Sequence, residues 1–263
     1  MAMFDPHSGK LRQVREVVRF SPLQQDVLKF LALVLMVFDH ANRALGLHEP
    51  ALFLLGRGAF PLFALIWGYN LAKKPVVQAQ ATRLWLWALL AQPGYALVMR
   101  HDGLAFTDPN ILFLFAVVTQ ALALMHLPVR KGYPSMGMAG ALLLVLWRVY
   151  GATPGTYGTE GTVLLLASYG LCVSLPAYVT HDWPVRGLSI VAWPLLTLAL
   201  NAGLGLTMML AGLLLPTLLI LGSLPLAQSH LAVNGRRLLP RGFFLQAYVA
   251  HLLALGLAGW WLA

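Results

Sequence analysis

The chain has 263 residues, 59% of them hydrophobic and 10% charged, with a mean hydropathy of +0.73. Soluble domains hold about 45–50% apolar residues, so this composition excludes an ordinary soluble domain. The formal charge of +9 needs no nucleic acid to explain it, because membrane topology accounts for where the basic residues fall.

Apolar runs bounded by Gly, Pro and charge recur along the sequence, and about 20 such residues cross a hydrocarbon layer of about 30 Å as a helix. β-Barrel alternation is absent, and helices satisfy their own backbone in lipid. The runs predict nine spans, at 27–47, 51–71, 82–99, 110–127, 134–150, 161–178, 186–202, 204–222 and 243–262. The expected fold is therefore all-α: a polytopic transmembrane helical bundle of about nine spans with the N-terminus cytoplasmic. Residues 1–22 read as a cytoplasmic tail, polar and without a cleavage pattern, and 23–263 as a single transmembrane domain.

Cytoplasmic loops collect Lys and Arg. With the N-terminus inside, 14 of the 18 basic residues fall on that side: Lys10, Arg12, Arg15, Arg19 and Lys29, then Lys73, Lys74 and Arg83, then Arg130, Lys131 and Arg186, then Arg236, Arg237 and Arg241. The other four, Arg43, Arg57, Arg100 and Arg148, lie near outer ends. Pro61, Pro93, Pro176 and Pro194 fall inside spans and predict kinks. Gln92 beside Pro93-Gly94 predicts a helix opened at mid-depth. The longest loop, Ser223 to Gly242, carries a Gly235-Arg236-Arg237 turn. The lone cysteine, Cys172, excludes an intramolecular disulfide and reads as a small apolar filler.

The first span holds Asp39-His40-Ala41-Asn42-Arg43, and ionisable side chains at membrane depth cost roughly 2.5–3.5 kcal/mol each, so they mark a site facing the bundle interior. Lys29 and His40 are eleven residues apart, which puts them within about 20° on one helix face and about 16 Å apart along it. His40, with an ordinary pKa near 6.5, suits proton abstraction from a nucleophile; the plainer alternative is an interhelical hydrogen bond. Lys29 reads as a snorkelling lysine or as a phosphate contact. Asp39 is placed to pair with Arg43 or Arg57.

In the second span, Gly56-Arg57-Gly58 allows close backbone approach around a guanidinium that could pair with Asp39 or Glu160 or steady an oxyanion. Tyr69, Asn70 and Gln92 read as interhelical glue. His251 lies about 12 Å into the last span, at the depth where it could meet His40, as a second proton carrier or as packing. Asn110, Glu160 and Asn201 lie at outer ends, where they line an acceptor vestibule or cap helices. No His/Cys/Glu spacing suits a metal, and no phosphate-loop or dinucleotide fingerprint is present.

Asp26-Val27-Leu28-Lys29-Phe30-Leu31-Ala32 leading to Met36 and Asp39-His40, and Gly56-Arg57-Gly58-Ala59-Phe60-Pro61-Leu62-Phe63-Ala64, resemble the TraX proteins of conjugative plasmids. So do Tyr157-Gly158-Thr159-Glu160-Gly161 and Phe243-Phe244 leading to Tyr248 and His251-Leu252-Leu253. The resemblance covers essentially the whole chain. It implies N-terminal acetylation of conjugative pilin, and kinship with membrane acyltransferases that carry acetyl from cytoplasmic acetyl-CoA to acceptors outside. In that superfamily a basic residue precedes a first-helix histidine by eleven positions, as Lys29 precedes His40.

The expectation is an acetyl-CoA-dependent N-acetyltransferase of the bacterial inner membrane, multi-pass, with pilin or another acceptor at the outer face and no metal. His40, Asp39 and Arg57 form the catalytic set. Lys29, Lys73, Lys74, Arg83, Arg236 and Arg237 receive the acetyl-CoA, and Asn42, Asn110, Glu160 and His251 the acceptor. Rival readings are an O-acetyltransferase acting on an envelope glycan, a proton-coupled transporter using Asp39, His40 and His251 as a relay, and a structural secretion-channel subunit. Transporters commonly carry paired halves, and no second copy of either N-terminal block occurs.

Overall fold

Ser21 opens the first helix with a reciprocal cap: its hydroxyl accepts from the Gln24 N–H at 3.1 Å, while the Gln24 side-chain oxygen accepts from the Ser21 N–H at 3.0 Å. Pro22 takes the first helical position, where its missing N–H costs nothing. The computed structural model describes residues 20–103, 108–125, 138–145, 157–174, 183–227, 237–240 and 242–262, and among these the ordered elements are all helices. They are α1 (Pro22–Ala44), α2 (Pro50–Gly56), α3 (Ala59–Ala72), α4 (Gln78–Val98), α5 (Ile111–Met125), α6 (138–145), α7 (Gly158–Ser174), α8 (Trp183–Ala199), α9 (Leu206–Gly222), α10 (Leu224–Ala227) and α11 (Phe243–Leu262).

Each expected span carries helix among the described residues, the fifth only over 138–145. Pro50–Ala72, Leu206–Leu226 and Phe243–Leu262 are long and apolar enough to cross a membrane; Ile111–Met125, Gly158–Val173 and Ile190–Leu204 are shorter apolar helices. Leucines such as Leu86 and Leu90 on α4, Leu214 on α9 and Leu257 on α11 are exposed, the pattern that lipid-facing positions of a membrane-spanning bundle would have. The expected tail up to residue 19, with Arg130, Lys131, Arg148, Pro176, Arg236 and Arg241, lies outside the described residues.

The second expected span is two helices. The Arg57 and Gly58 N–H groups donate three residues back, to Leu54 and Leu55 at 3.1 and 3.3 Å, and α3 restarts at Ala59. The break falls where the backbone must clear two neighbours. A Cβ on Gly56 would stand 2.5 Å from Asp39 Cβ, and one on Gly58 would stand 2.8 Å from Leu215 Cβ. Pro61 sits in the first turn of α3, so it removes no helical hydrogen bond and produces no interior kink.

The opened helix expected at Gln92-Pro93-Gly94 is absent, since α4 runs unbroken from Gln78 to Val98. The reason is the helix beside it. A Cβ on Gly94 would sit 3.0 Å from Leu252 Cβ, and one on Gly256 would sit 2.6 Å from Leu97 Cβ, so α4 and α11 meet glycine to backbone along the stretch next to Pro93. Substituting Gly256→Leu is expected to destabilise the bundle by about 1–3 kcal/mol through overpacking, read as a lower thermal midpoint in detergent. An unchanged midpoint would refute the close approach.

Helix α1 packs against α2, α3, α4 and α11, and two apolar clusters meet through Ile111 and Phe113 of α5. One gathers Phe60, Phe115, Leu164 and Trp193, and the other gathers Ala88, Tyr95, Tyr248 and Leu252. The polar pentad of α1 lies at their junction.

Candidate functional site

Adjacent residues on a helix diverge by about 100°, so Asp39 and His40 serve different neighbours. Asp39 turns towards α2, where Oδ1 accepts from Arg57 Nη2 at 2.9 Å and Oδ2 accepts from Arg43 Nε at 3.2 Å. Arg43 also donates through Nη1 to Asp102. Two carboxylates and two guanidiniums therefore alternate in a chain of zero net charge. Arg57 is 6% exposed, donates through Nε to the Phe53 carbonyl at 3.2 Å, and lies 4.1 Å over the Phe53 ring. Buried charge persists only when paired in this way.

His40 turns towards α11. Its Nδ1 stands 2.8 Å from His251 Nε2, and His251 Nδ1 stands 3.0 Å from the Ala247 carbonyl. The two histidines expected at mid-depth do meet.

His40, Asp39, Arg43 and Arg57 border a cavity of about 300 Å³ whose remaining wall is aromatic and aliphatic, with Phe60 and Tyr157 stacked there at 4.4 Å. A second cavity of about 340 Å³ is bordered by Lys29, Arg83, Arg237 and Asp26. Met36, Phe63, Ile111, Phe115 and Tyr248 belong to both walls. A mostly apolar partition one side chain thick therefore separates the histidine from the cations.

Asp26 explains how Arg237 reaches that second cavity: its Oδ2 accepts from the Leu238 and Leu239 N–H groups at 3.0 and 3.3 Å, pinning the loop before α11 onto α1. Lys29 directs Nζ over the Phe244 ring at 5.4 Å. Lys73 and Lys74 are exposed and border neither cavity. Partial burial pushes the Lys73 ammonium, seated 4.0 Å over the Tyr69 ring, down to about 8, and the positive charges of Lys29 and Arg237 add to that shift.

The residues expected at an acceptor vestibule are dispersed. Asn42 closes the loop after α1, donating to the Glu49 carbonyl at 3.1 Å and accepting from the Glu49 N–H at 2.8 Å. Asn110 is fully buried; it accepts from the Leu112 N–H at 3.0 Å and donates to the Ala88 carbonyl at 2.8 Å, so it caps α5 onto α4. Gln92 accepts from Asn110 and donates to the Asp108 carbonyl. Glu160 is exposed and outside both walls, and Arg57 pairs with Asp39 in its place. His251 also borders neither cavity; it stands behind His40.

Sequence reasoning passed over Asp26, Asp102 and the phenol of Tyr157. Asp26 carried a usable signal: a carboxylate three residues before Lys29 shares its helix face. Asp102 carried none, because only the folded chain brings it to Arg43.

The family model described as TraX protein matches residues 24–258 of the chain. The chain is 37% identical over 245 residues to Protein TraX of Escherichia coli strain K12, covering 92% of this chain and 90% of that one. It is 39% identical over 240 residues to a further Protein TraX of Escherichia coli, covering 90% and 88%. No solved structure matches.

Proposed function

The chain belongs to the TraX family, and from that premise we propose that it is a membrane-embedded acetyltransferase. It carries acetyl from cytoplasmic acetyl-CoA to an acceptor at the outer face of the inner membrane, the favoured acceptor being the N-terminal amine of a pilin subunit. One observation carries the reading: the cation-bordered cavity and the His40 cavity share a wall of five side chains. A donor with a polyanionic head and a long thin arm fits such a pair, its phosphates beside Lys29, Arg83 and Arg237 and its thioester passed through the partition to His40.

In this mechanism His40 takes the proton as the amine nitrogen attacks the thioester carbonyl. An α-amino group has a pKa near 7.7–8.0 and is partly neutral at pH 7, so one histidine base suffices. Negative charge builds on the former carbonyl oxygen, and Arg57 borders the same cavity to steady it. The C–S bond then breaks, the sulfur takes the proton back from the imidazolium, and the amide and free CoA thiol leave. Asp39 keeps Arg57 and Arg43 in place.

The test is incubation of the purified protein with acetyl-CoA and a peptide carrying a pilin N-terminus. Thiol release with a one-acetyl mass gain on the peptide supports the reading, and acetyl gain on envelope sugars instead would move the acceptor to a glycan. Solute movement in vesicles without acetyl-CoA consumption would overturn both in favour of transport.

Donor recognition has its own expectation. A hydrogen bond to a charged group contributes about 1.5–3 kcal/mol, so Lys29→Gln or Arg237→Gln is expected to raise the KM for acetyl-CoA by about tenfold or more, with kcat nearly unchanged. Lys74→Gln, outside both walls, should leave KM within about twofold of the parent, as exposed charges contribute little. Equal effects from Lys29 and Lys74 would remove the cationic cavity from the donor path.

A further inference from the structure

His251 touches neither cavity, yet it makes the shortest polar contact of His40. The two rings are nearly parallel, at 6°, with centres 5.1 Å apart, while the facing nitrogens are only 2.8 Å apart. Ring centres can stand that much farther apart than the nitrogens only if both nitrogens lie on the line between the centres. The rings therefore meet edge to edge in one plane, and the N–H of one points straight at the lone pair of the other.

The protons in this chain can be assigned from its far end. A backbone carbonyl only accepts, so His251 Nδ1, 3.0 Å from the Ala247 oxygen, must carry a hydrogen. A neutral imidazole bears one hydrogen, which leaves His251 Nε2 as an acceptor. His40 Nδ1 is then the donor across the 2.8 Å contact, and the His40 hydrogen is used there. His40 Nε2 keeps its lone pair.

We infer that His251 is a positioning residue: through Ala247 it holds His40 in the tautomer with Nδ1 protonated, so that Nε2 faces the substrate as the base. The other tautomer would put a hydrogen where the acceptor's proton must go. When Nε2 takes that proton, the Nδ1–H bond to His251 becomes charge-assisted and strengthens, so His251 also favours the imidazolium without taking a proton itself. The turn of α11 from Ala247 to His251 sets this order, since it brings the carbonyl four residues back to 3.0 Å from Nδ1.

The catalytic part of this inference rests on the acetyltransferase reading; the tautomer does not. The experiment therefore pairs two readouts on the full chain in lipid nanodiscs. In ¹⁵N-histidine spectra, with His40 assigned by its loss in His40→Gln, the parent should show a protonated Nδ1 and a bare Nε2, and His251→Ala should shift His40 towards protonated Nε2, the form favoured in free imidazole side chains. In the transfer assay, His251→Ala should lower kcat by about 10–100-fold, the range seen when a ring nitrogen loses its orienting partner, with KM for acetyl-CoA unchanged. His251→Gln, whose side-chain oxygen can accept from Nδ1, should recover most of the rate and the parental tautomer. A His40 that carries its proton on Nε2 in the parent, or whose tautomer ignores His251→Ala, overturns the assignment whether or not any acetyl transfer is observed. Loss of rate in His251→Gln equal to that in His251→Ala, with the tautomer retained, overturns the catalytic role.

Discussion

Replacing His40 with alanine is expected to lower acetyl transfer by about 10²–10⁴-fold, the contribution of a well-placed general base, while the protein still folds. The two halves of that expectation have separate causes. The ring sits at the junction of α1 and α11 with His251 as its one side-chain partner among the described residues, so its loss removes that hydrogen bond and leaves His251 half-buried beside a small void. A lost hydrogen bond whose remaining partner keeps some access to water costs about 1–3 kcal/mol. Among the described residues the chemistry has no substitute, because no other neutral base borders that cavity and Asp39 is bound on both oxygens by arginines. Thiol release from acetyl-CoA with a pilin peptide measures the first half, and elution and thermal midpoint of the detergent-solubilised variant measure the second. An alanine variant that retains a quarter of the parental rate would remove His40 from the mechanism.

Arg57→Ala is expected to be the costliest single change to the fold, at about 3–5 kcal/mol, because removing one partner of a buried ion pair strands the other. Asp39 would keep only Arg43, whose side chain is 22% exposed and shared with Asp102, whereas the side chain of Arg57 is 8% exposed. Alanine at Arg43 should therefore cost about 1 kcal/mol or less, in the range of solvent-accessible pairs. Arg57→Lys keeps the charge but not the fork that serves Asp39 through Nη2 and Phe53 through Nε, and it should fall between the two. Much of the loss should return in the double variant Asp39→Asn, Arg57→Gln, which leaves no stranded charge. Denaturation in mixed detergent orders the four variants; an Arg43 variant less stable than the Arg57 variant would invert the reading of this network.

The polar pentad of α1 announced the site in the sequence because lipid makes misplaced charge expensive, so every ionisable group at that depth must have a purpose. The pairing of Asp39 with Arg43 was legible for a related reason: a four-residue spacing on one helix nearly dictates contact. Gly56-Arg57-Gly58 was legible as a close approach, but not as the end of a helix. That depended on Asp39 pressing from one side and Leu215 from the other, residues 17 and 157 positions away.

Pro93 shows the opposite failure. Its local chemistry argues for an opened helix, and α11, lying against Gly94, overrides it. Asn110 and Glu160 share an outer-end position in the sequence, yet one is sealed inside as a cap and the other faces out. Nothing in their spacing separates these fates.

By itself the sequence determined that the protein is helical, that several of its helices are apolar enough for a membrane, which family it resembles and which helix carries the buried polar pentad, since composition, run length and helical period are local quantities. Only the tertiary structure decided that His251 stands behind His40, that Asp26 ties Arg237 to the cationic cavity, and that two cavities share one thin wall. Those are distances between residues such as His40 and His251, 211 positions apart, and helix packing sets them through the fit of side chains that no single segment contains.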